Sequence, residues 1–177
     1  MAKTPTVERE TVTFRLPASL LERVRKEGAD RGLAYVRSIE EALEVYFFSR
    51  LPPPMAETLP FTLLPPEEGK VGLLATPEPR FCNLTNSVHG GWIMTMLDTA
   101  MALAAQTTLS PGETCPSHET TTKFVRPISA DSGVMHVTGQ VVSRSRTVIT
   151  LAGRIEDTKG RLHAHGTSTC LIVSRRP

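Results

Sequence analysis

No CxxC pair occurs in this sequence. Its three cysteines, Cys82, Cys115 and Cys170, stand far apart. An odd count without a secretion signal points to reduced thiols and a cytoplasmic location rather than a disulfide framework. The N-terminus lacks the basic-then-apolar order of a signal peptide. No apolar run reaches about 18 residues without a polar interruption, so no membrane-spanning helix is expected. A formal charge of +2 gives no pull on nucleic acid or membrane by itself. There is no GxSxG, which removes the nucleophile-elbow hydrolases. His163 and His165 alternate on an expected strand and so should share a face. No third ligand has a matching spacing, and no metal or other cofactor is expected. The composition that remains, 40% apolar and 21% charged over 177 residues, is that of one ordinary globular domain or a smaller one with an appendage.

The stretch Asn83 to Leu109 organises the rest. It opens polar, carries Gly90 and Gly91, then runs almost wholly apolar for some five helical turns with one carboxylate inside, Asp98. An acid buried without a partner costs several kcal/mol, or shifts its pKa to neutralise itself, so a chain tolerates one where it has a task or a fixed partner. A helix apolar nearly all round must be buried on most sides.

Around it the chain reads as follows. Thr11 to Leu16 alternates as a strand. Pro17 suits the first position of a helix running through Leu20, Leu21 and Val24, which Gly32 can close as a C-cap glycine. A second helix should start near Arg37 or Ser38, with Ser38 and Glu41 as a capping box, and end at the LPPP of residues 51–54. One helical turn and extended chain follow from Met55 to Leu64, a turn at Pro65, Pro66 and Gly69, and a strand from Lys70 to Thr76. Beyond the long helix lie a loop (residues 110–116) and four strands, about Ser117–Arg126, Val134–Ser143, Thr147–Asp157 and Leu162–Val173. Their short connections imply an antiparallel meander. The expected fold class is α+β: an antiparallel sheet (residues 51–177) wrapped around one long central helix, with a strand-helix-helix extension over residues 1–50.

Residues 77–83 (PEPRFCN), 88–91 (VHGG), the acid in 96–102 (MLDTAMA), 119–127 (ETTTKFVRP) and 163–173 (HAHGTSTCLIV) resemble the hotdog-fold acyl-CoA thioesterases, most closely their phenylacetyl-CoA thioesterase branch. The family usually has Gly where this chain has Asn86, and Asn tolerates left-handed backbone better than other side chains do. The resemblance implies hydrolysis of an acyl- or aryl-CoA thioester, with coenzyme A entering as part of the substrate, in a homo-oligomer, dimer or tetramer. It implies roles for Gly90, whose amide would be the oxyanion-hole donor, and for Asp98, as general base or nucleophile acting from the partner's side of a shared cleft. It also implies that Asn83 orients the carbonyl or the lytic water, that His89 lies at the site as loop anchor or proton shuttle, and that Ser117 is a hydroxyl near the acid. Gly91 leaves room for substrate at the helix start. Arg126, Arg144 and Arg146, at strand ends and a hairpin, can meet coenzyme A phosphates. Residues 1–50 weakly resemble a ribbon-helix-helix module, in which Thr11, Thr13 and Arg15 would face DNA and Val12, Phe14 and Leu16 the core. That offers an alternative function, an acyl-CoA-sensing DNA-binding regulator. Nine cationic residues against eight anionic ones in that segment are a poor footprint for phosphate contacts, and argue for an oligomerising appendage instead.

Overall fold

The structure, a computed structural model, describes residues 13, 15–30, 32, 34–48, 52–110 and 112–174, leaving out the side chains of residues 27, 41 and 44–48. The chain divides into two compact units, Met1–Glu40 and Glu41–Pro177, with the boundary inside the second helix.

The first unit holds α1 (Ala18–Asp30) and the start of α2 (Tyr35–Phe48). The Pro17 carbonyl accepts from the Leu20 and Leu21 N–H groups, so the proline stands just ahead of the first turn. Gly32 closes α1 at φ 66°, its N–H donating to the Ala29 carbonyl. The second helix starts earlier than the Ser38 cap predicts. The Ala34 carbonyl already accepts from Arg37 and Ser38, which places Ser38 inside the first turn rather than at the cap. Nothing in Ala34, Tyr35 or Val36 opposes a helix, and the chain winds from the first carbonyl available after the glycine turn. The expected N-terminal strand depends on Thr11, Val12 and Phe14, which lie outside the described residues.

In the second unit, a single 3-10 turn (Pro54–Glu57) leads into β1 (Thr62–Leu63) and β2 (Lys70–Ala75). The long helix α3 spans Gly90–Gln106. Then come β3 (Glu113–Thr114), β4 (Ser117–Phe124), β5 (Met135–Arg144), β6 (Val148–Asp157), β7 (Leu162–Leu171) and β8 (Val173–Ser174). Six strands form one antiparallel sheet in the order β1-β2-β5-β6-β7-β4, and β3 pairs with β8. The meander is therefore one strand shorter than the sequence implies. Only β5, β6 and β7 run consecutively, while β4 pairs with β7 at the sheet edge. The reason is local. The Val125 and Arg126 N–H groups both donate to the His163 carbonyl at the start of β7 (2.8 and 3.0 Å). The chain leaving β4 is thus tied to β7 and reaches β5 by a longer route through a 3-10 turn at Ala130–Ser132.

α3 lies chiefly over β5. Trp92, Ile93, Met96, Leu97, Ala100, Met101 and Ala104 are buried against the sheet. The approach is close because Gly139 and Gly153 pair side by side on β5 and β6, both facing α3. A Cβ at Gly139 would overlap the Ala100 carbonyl, so helix backbone meets strand backbone there with no side chain between. At Gly153 a Cβ would meet only the Leu97 and Met101 side chains, at 3.1 Å.

The two regular strand readings that fail do so at bulges. Opposite the irregularity between Ile155 and Glu156, His163 is the unpaired residue of β7. His163 is consequently buried and His165 exposed, so the two histidines do not share a face as strict alternation predicts. The His163 Nδ1–H donates to the Pro127 carbonyl at 3.1 Å, and its Nε2 lies 3.5 Å from Asp157 Oδ2. Asp157 also organises the β6–β7 hairpin. Its Oδ1 accepts from the Lys159 and Arg161 N–H groups (both 2.9 Å), and its Oδ2 from Arg161 Nε (2.6 Å), while Gly160 turns at φ 73°. Burial works to raise the Asp157 pKa, but these hydrogen bonds outweigh it and hold the carboxyl well below the usual range.

Gly139→Ala is expected to destabilise the second unit by roughly 3 kcal/mol or more, because rigid backbone must move. Gly153→Ala should cost less, since flexible side chains can yield. Urea unfolding midpoints of the two variants check the order. A carboxylate with a depressed folded-state pKa contributes stability above its ordinary pKa near 4, and loses it as the pH falls below that value. The stability advantage of wild type over Asp157→Asn should therefore be full at pH 7 and shrink progressively below about pH 4, as read by urea midpoints along a pH series.

Candidate active site

The helix start is built by the loop before it. Asn83 Oδ1 accepts from Thr85 N, Thr85 Oγ1 and Ser87 N at 2.9, 2.7 and 3.1 Å, and the Asn83 N–H donates to the Ser87 carbonyl at 2.7 Å. Asn83 is thus an Asx-turn former whose oxygen is fully used, leaving its Nδ2 with no acceptor among the described residues. Asn86 turns the loop at φ 58°, the left-handed backbone expected where the family has Gly. Val88 N–H then donates to the Ile128 carbonyl and His89 N–H to the Phe81 carbonyl, both at 2.8 Å.

His89 is the N-cap of α3, its Nδ1 accepting from the Gly91 N–H at 2.9 Å. An accepting Nδ1 carries no proton, so the ring proton of this histidine sits on Nε2. The Gly90 N–H has no acceptor among the described residues. It is a helix N-terminal donor with the dipole behind it. The Phe124 ring lies over Gly90, 3.1 Å from where a Cβ would stand, and is 56% exposed.

Asp98 lies two turns further along the helix and is half-buried. Ser117 Oγ and Thr120 Oγ1 each donate to its Oδ1 at 3.0 Å. Its Oδ2 has no hydrogen-bond partner among the described residues. The acid that looked unexplained in sequence is therefore held on one oxygen and open on the other.

β4 connects the two ends. Thr120, Thr122 and Phe124 fall opposite Ser168, Gly166 and Ala164 of the inner face of β7. Thr120 touches the acid and Phe124 the glycine. Four strand residues span roughly 13 Å, and the eight helix residues from Gly90 to Asp98 roughly 12 Å, so the two measures agree. Thr122 Oγ1 lies between them as a buried hydroxyl with no partner.

Of the residues singled out in the sequence, the structure brings Asp98 and Ser117 together at one end of this groove, and His89, Gly90 and Gly91 together at the other. The three arginines do not cluster. Arg126 donates to the Leu162 carbonyl at the Phe124 end of β7 (3.1 Å). Arg144 pairs with Glu113 at 3.1 Å beside the β5–β6 hairpin, which also holds Arg146 and lies at the Ser117 end of the sheet. Trp92, Met96 and Met101 are core, and Met94 is exposed. No group of three or more His, Cys, Asp or Glu among the described residues is arranged to hold a metal ion. None of the described helices is long and apolar enough to cross a membrane.

Residues 85–164 match the family model described as the thioesterase superfamily. A phenylacetic acid degradation-related protein of Ralstonia eutropha JMP134 is 26% identical, with a TM-score of 0.65 over 72% of this chain and 98% of that one. The PaaI protein of the phenylacetic acid degradation operon of E. coli is 20% identical, with a TM-score of 0.67 over 77% and 96%. A Streptococcus mutans UA159 protein, smu.793, solved bound to acetyl CoA, is 19% identical, with a TM-score of 0.60 over 66% and 91%. No curated protein matches. The fold is the hotdog fold.

Sequence reasoning missed three residues of this hotdog domain's groove: Thr120, Thr122 and Phe124. Ser117 and Thr120 are three apart, which in a regular strand means opposite faces. A bulge at His118, between Ser117 and Glu119, turns both toward Asp98. No residue type announces that bulge.

The left-handed turn gives a direct check on the loop. Asn86→Gly should leave stability unchanged or improve it, whereas Asn86→Val should cost about 1–2 kcal/mol. Thermal unfolding of the two variants measures the difference.

Proposed function

We propose that this protein hydrolyses acyl- or aryl-CoA thioesters to the free acid and coenzyme A. The observation that carries the reading is the groove along α3 and β4, with an unpaired helix N-terminal N–H at Gly90 at one end and a carboxylate with one oxygen fixed and one free at the other. The superfamily match and an acetyl-CoA-bound structural relative support the substrate class.

The chemistry follows from these groups. The Gly90 N–H donates to the thioester oxygen as negative charge develops on it, a contribution worth roughly 10²–10³ in rate for one such donor. Asp98 Oδ2 either removes a proton from the attacking water or attacks the carbonyl carbon itself, and the tetrahedral species expels the coenzyme A thiolate; after direct attack a water then cleaves the acyl–Asp98 anhydride to release the acid and restore the carboxylate. Asn83 Nδ2 and the His89 Nε2–H are donors left over at the loop end, suited to orient substrate or water. Arg126, or Arg144 and Arg146, supply cations for the coenzyme A phosphates. Ser117 holds the acid.

One protomer does not complete the site. An amide, a carbonyl, a water and a carboxylate in hydrogen-bond contact span roughly 8–9 Å, short of the roughly 12 Å between Gly90 and Asp98 on one helix. The working pair is therefore Gly90 of one protomer and Asp98 of another, in a homodimer or tetramer.

Two substitutions separate the parts. Asp98→Ala should lower kcat on an acyl-CoA panel by about 10²–10⁴. Gly90 stands at the first helical position behind an extended His89 (φ −61°, ψ 137°), where proline is tolerated. Gly90→Pro thus deletes the N–H while sparing the helix, and should cost about 10²–10³. A randomly exchanged equimolar mixture of the two inactive proteins should recover about a quarter of wild-type activity, because about half of the pairs are mixed and each mixed pair holds one intact site of two. No recovery in oligomers shown to be mixed removes the two-protomer site, and full activity of Asp98→Ala removes Asp98 from the reaction. Label in the protein carboxylate after single turnover in ¹⁸O-water assigns direct attack to Asp98, since general-base catalysis places label in the product acid alone.

A further inference from the structure

The Asp98 carboxylate is held by more than the single hydroxyl expected of it. Ser117 Oγ and Thr120 Oγ1 converge on the same oxygen, Oδ1, at 3.0 Å each. Behind Thr120, Ser168 Oγ lies 3.0 Å from Thr120 Oγ1 and 3.0 Å from the Glu119 carbonyl oxygen. Ser168 is 2% exposed, on the inner face of β7. Proton bookkeeping fixes the direction of this chain. A carboxylate only accepts, so the one hydroxyl proton of Thr120 goes to Asp98. The single Ser168 proton serves either the Glu119 carbonyl or the Thr120 oxygen, both 3.0 Å away, so Ser168 holds Thr120 from behind in the arrangement in which it donates to Thr120. The arrangement exists because His118 bulges out of β4 and turns Thr120 inward with Ser117.

We propose that Thr120, backed by Ser168, is a positioning residue that locks the Asp98 carboxylate so that Oδ2 alone faces the reacting group. The inference rests on the thioesterase reading, and deepens it. Two donors on Oδ1 fix the torsion of the carboxylate about its Cβ–Cγ bond, which one donor leaves free to swing. They also occupy Oδ1, so the lone pairs left free are those of Oδ2. A hydroxyl that merely satisfied a half-buried acid would affect stability and leave the rate of the bound complex alone. A hydroxyl that aims the acid affects kcat, because displacements of about 1 Å can cost as much as 100-fold.

The test compares Thr120→Val, which keeps the shape and removes the donor, with Thr120→Ser, which restores the donor. Steady-state kinetics on an acyl-CoA that the wild type turns over are paired with crystal structures of wild type and Thr120→Val. The expected result is a roughly 10- to 100-fold lower kcat for Thr120→Val with KM within about twofold, recovery of most of it in Thr120→Ser, and a turned Asp98 carboxylate in the Thr120→Val structure. Ser168→Ala should lower kcat by a smaller factor in the same direction. Wild-type kcat in Thr120→Val, a loss confined to KM, or a loss that Thr120→Ser fails to restore would overturn the proposal. Should the wild type leave every acyl-CoA unchanged, the thioesterase reading falls instead. The Thr120 inference is then decided by the Thr120→Val structure alone: an unmoved Asp98 carboxylate rejects it and a turned one supports it.

Discussion

The close approach of α3 to the sheet at Gly139 fixes everything downstream of it. Where the Ala100 carbonyl meets strand backbone without a side chain between, the helix can neither slide nor roll without a steric clash. Asp98 is two residues before that contact and Gly90 ten residues before it, both on a helix whose position is set by glycine rather than by the site. The paired glycines of β5 and β6 are thus as much a part of the site as the groups that would touch substrate. They hold the helix at a distance from β4 at which a threonine or serine hydroxyl, and nothing longer, reaches the acid.

Two bulges then decide which side chains arrive. One, at His118, turns Ser117 and Thr120 to the same side, and the other turns His163 inward while His165 stays out. Both sit on ladders involving β7, at opposite ends of the β4–β7 pair. The His163 bulge secures the chain leaving β4, since the His163 carbonyl and ring hold Val125, Arg126 and Pro127. Ile128, next in line, receives the Val88 N–H just ahead of the helix cap. One bulge therefore supports the glycine end of the groove and the other arms the acid end. Bulges near functional groups re-aim side chains in this way.

This is also where the legibility of the sequence stops. The long helix, its glycine start, the six main elements of the second unit and the pairing of Asp98 with Ser117 follow from apolar periodicity, turn residues and a family resemblance. Each of those signals is local, or is carried by residue type. Bulges are neither. His118 and His163 look like ordinary strand residues, and only the register with β7 and β6 shows that each is extra. Strict alternation therefore placed His163 beside His165, and gives no reason to look for Thr120 on the Ser117 side. The same limit hid the place of β4. A proline-containing connection between two strands reads as a hairpin unless one knows that the backbone before it is already bonded elsewhere. The Ser38 cap failed for a different reason: a capping pattern competes with any earlier carbonyl that can start the helix, and Ala34 won.

The spacing along the groove carries the remaining step. A helix and a strand measure the same separation between the amide and the acid, and it exceeds what one thioester carbonyl and one water can bridge. The separation cannot close by local adjustment, because the Gly139 contact fixes one end of the helix and the His89 cap the other. Loop motion at residues 83–87 would move Asn83 and leave Gly90 behind. A single copy of this chain therefore offers two half-sites facing along the same groove, each with a free valence: an N–H without an acceptor and a carboxylate oxygen without a donor. On the proposed reading, groups of opposite character left open at the two ends of one surface are what a two-fold partner would satisfy twice over, since an isologous contact would bring the amide end of each copy to the acid end of the other.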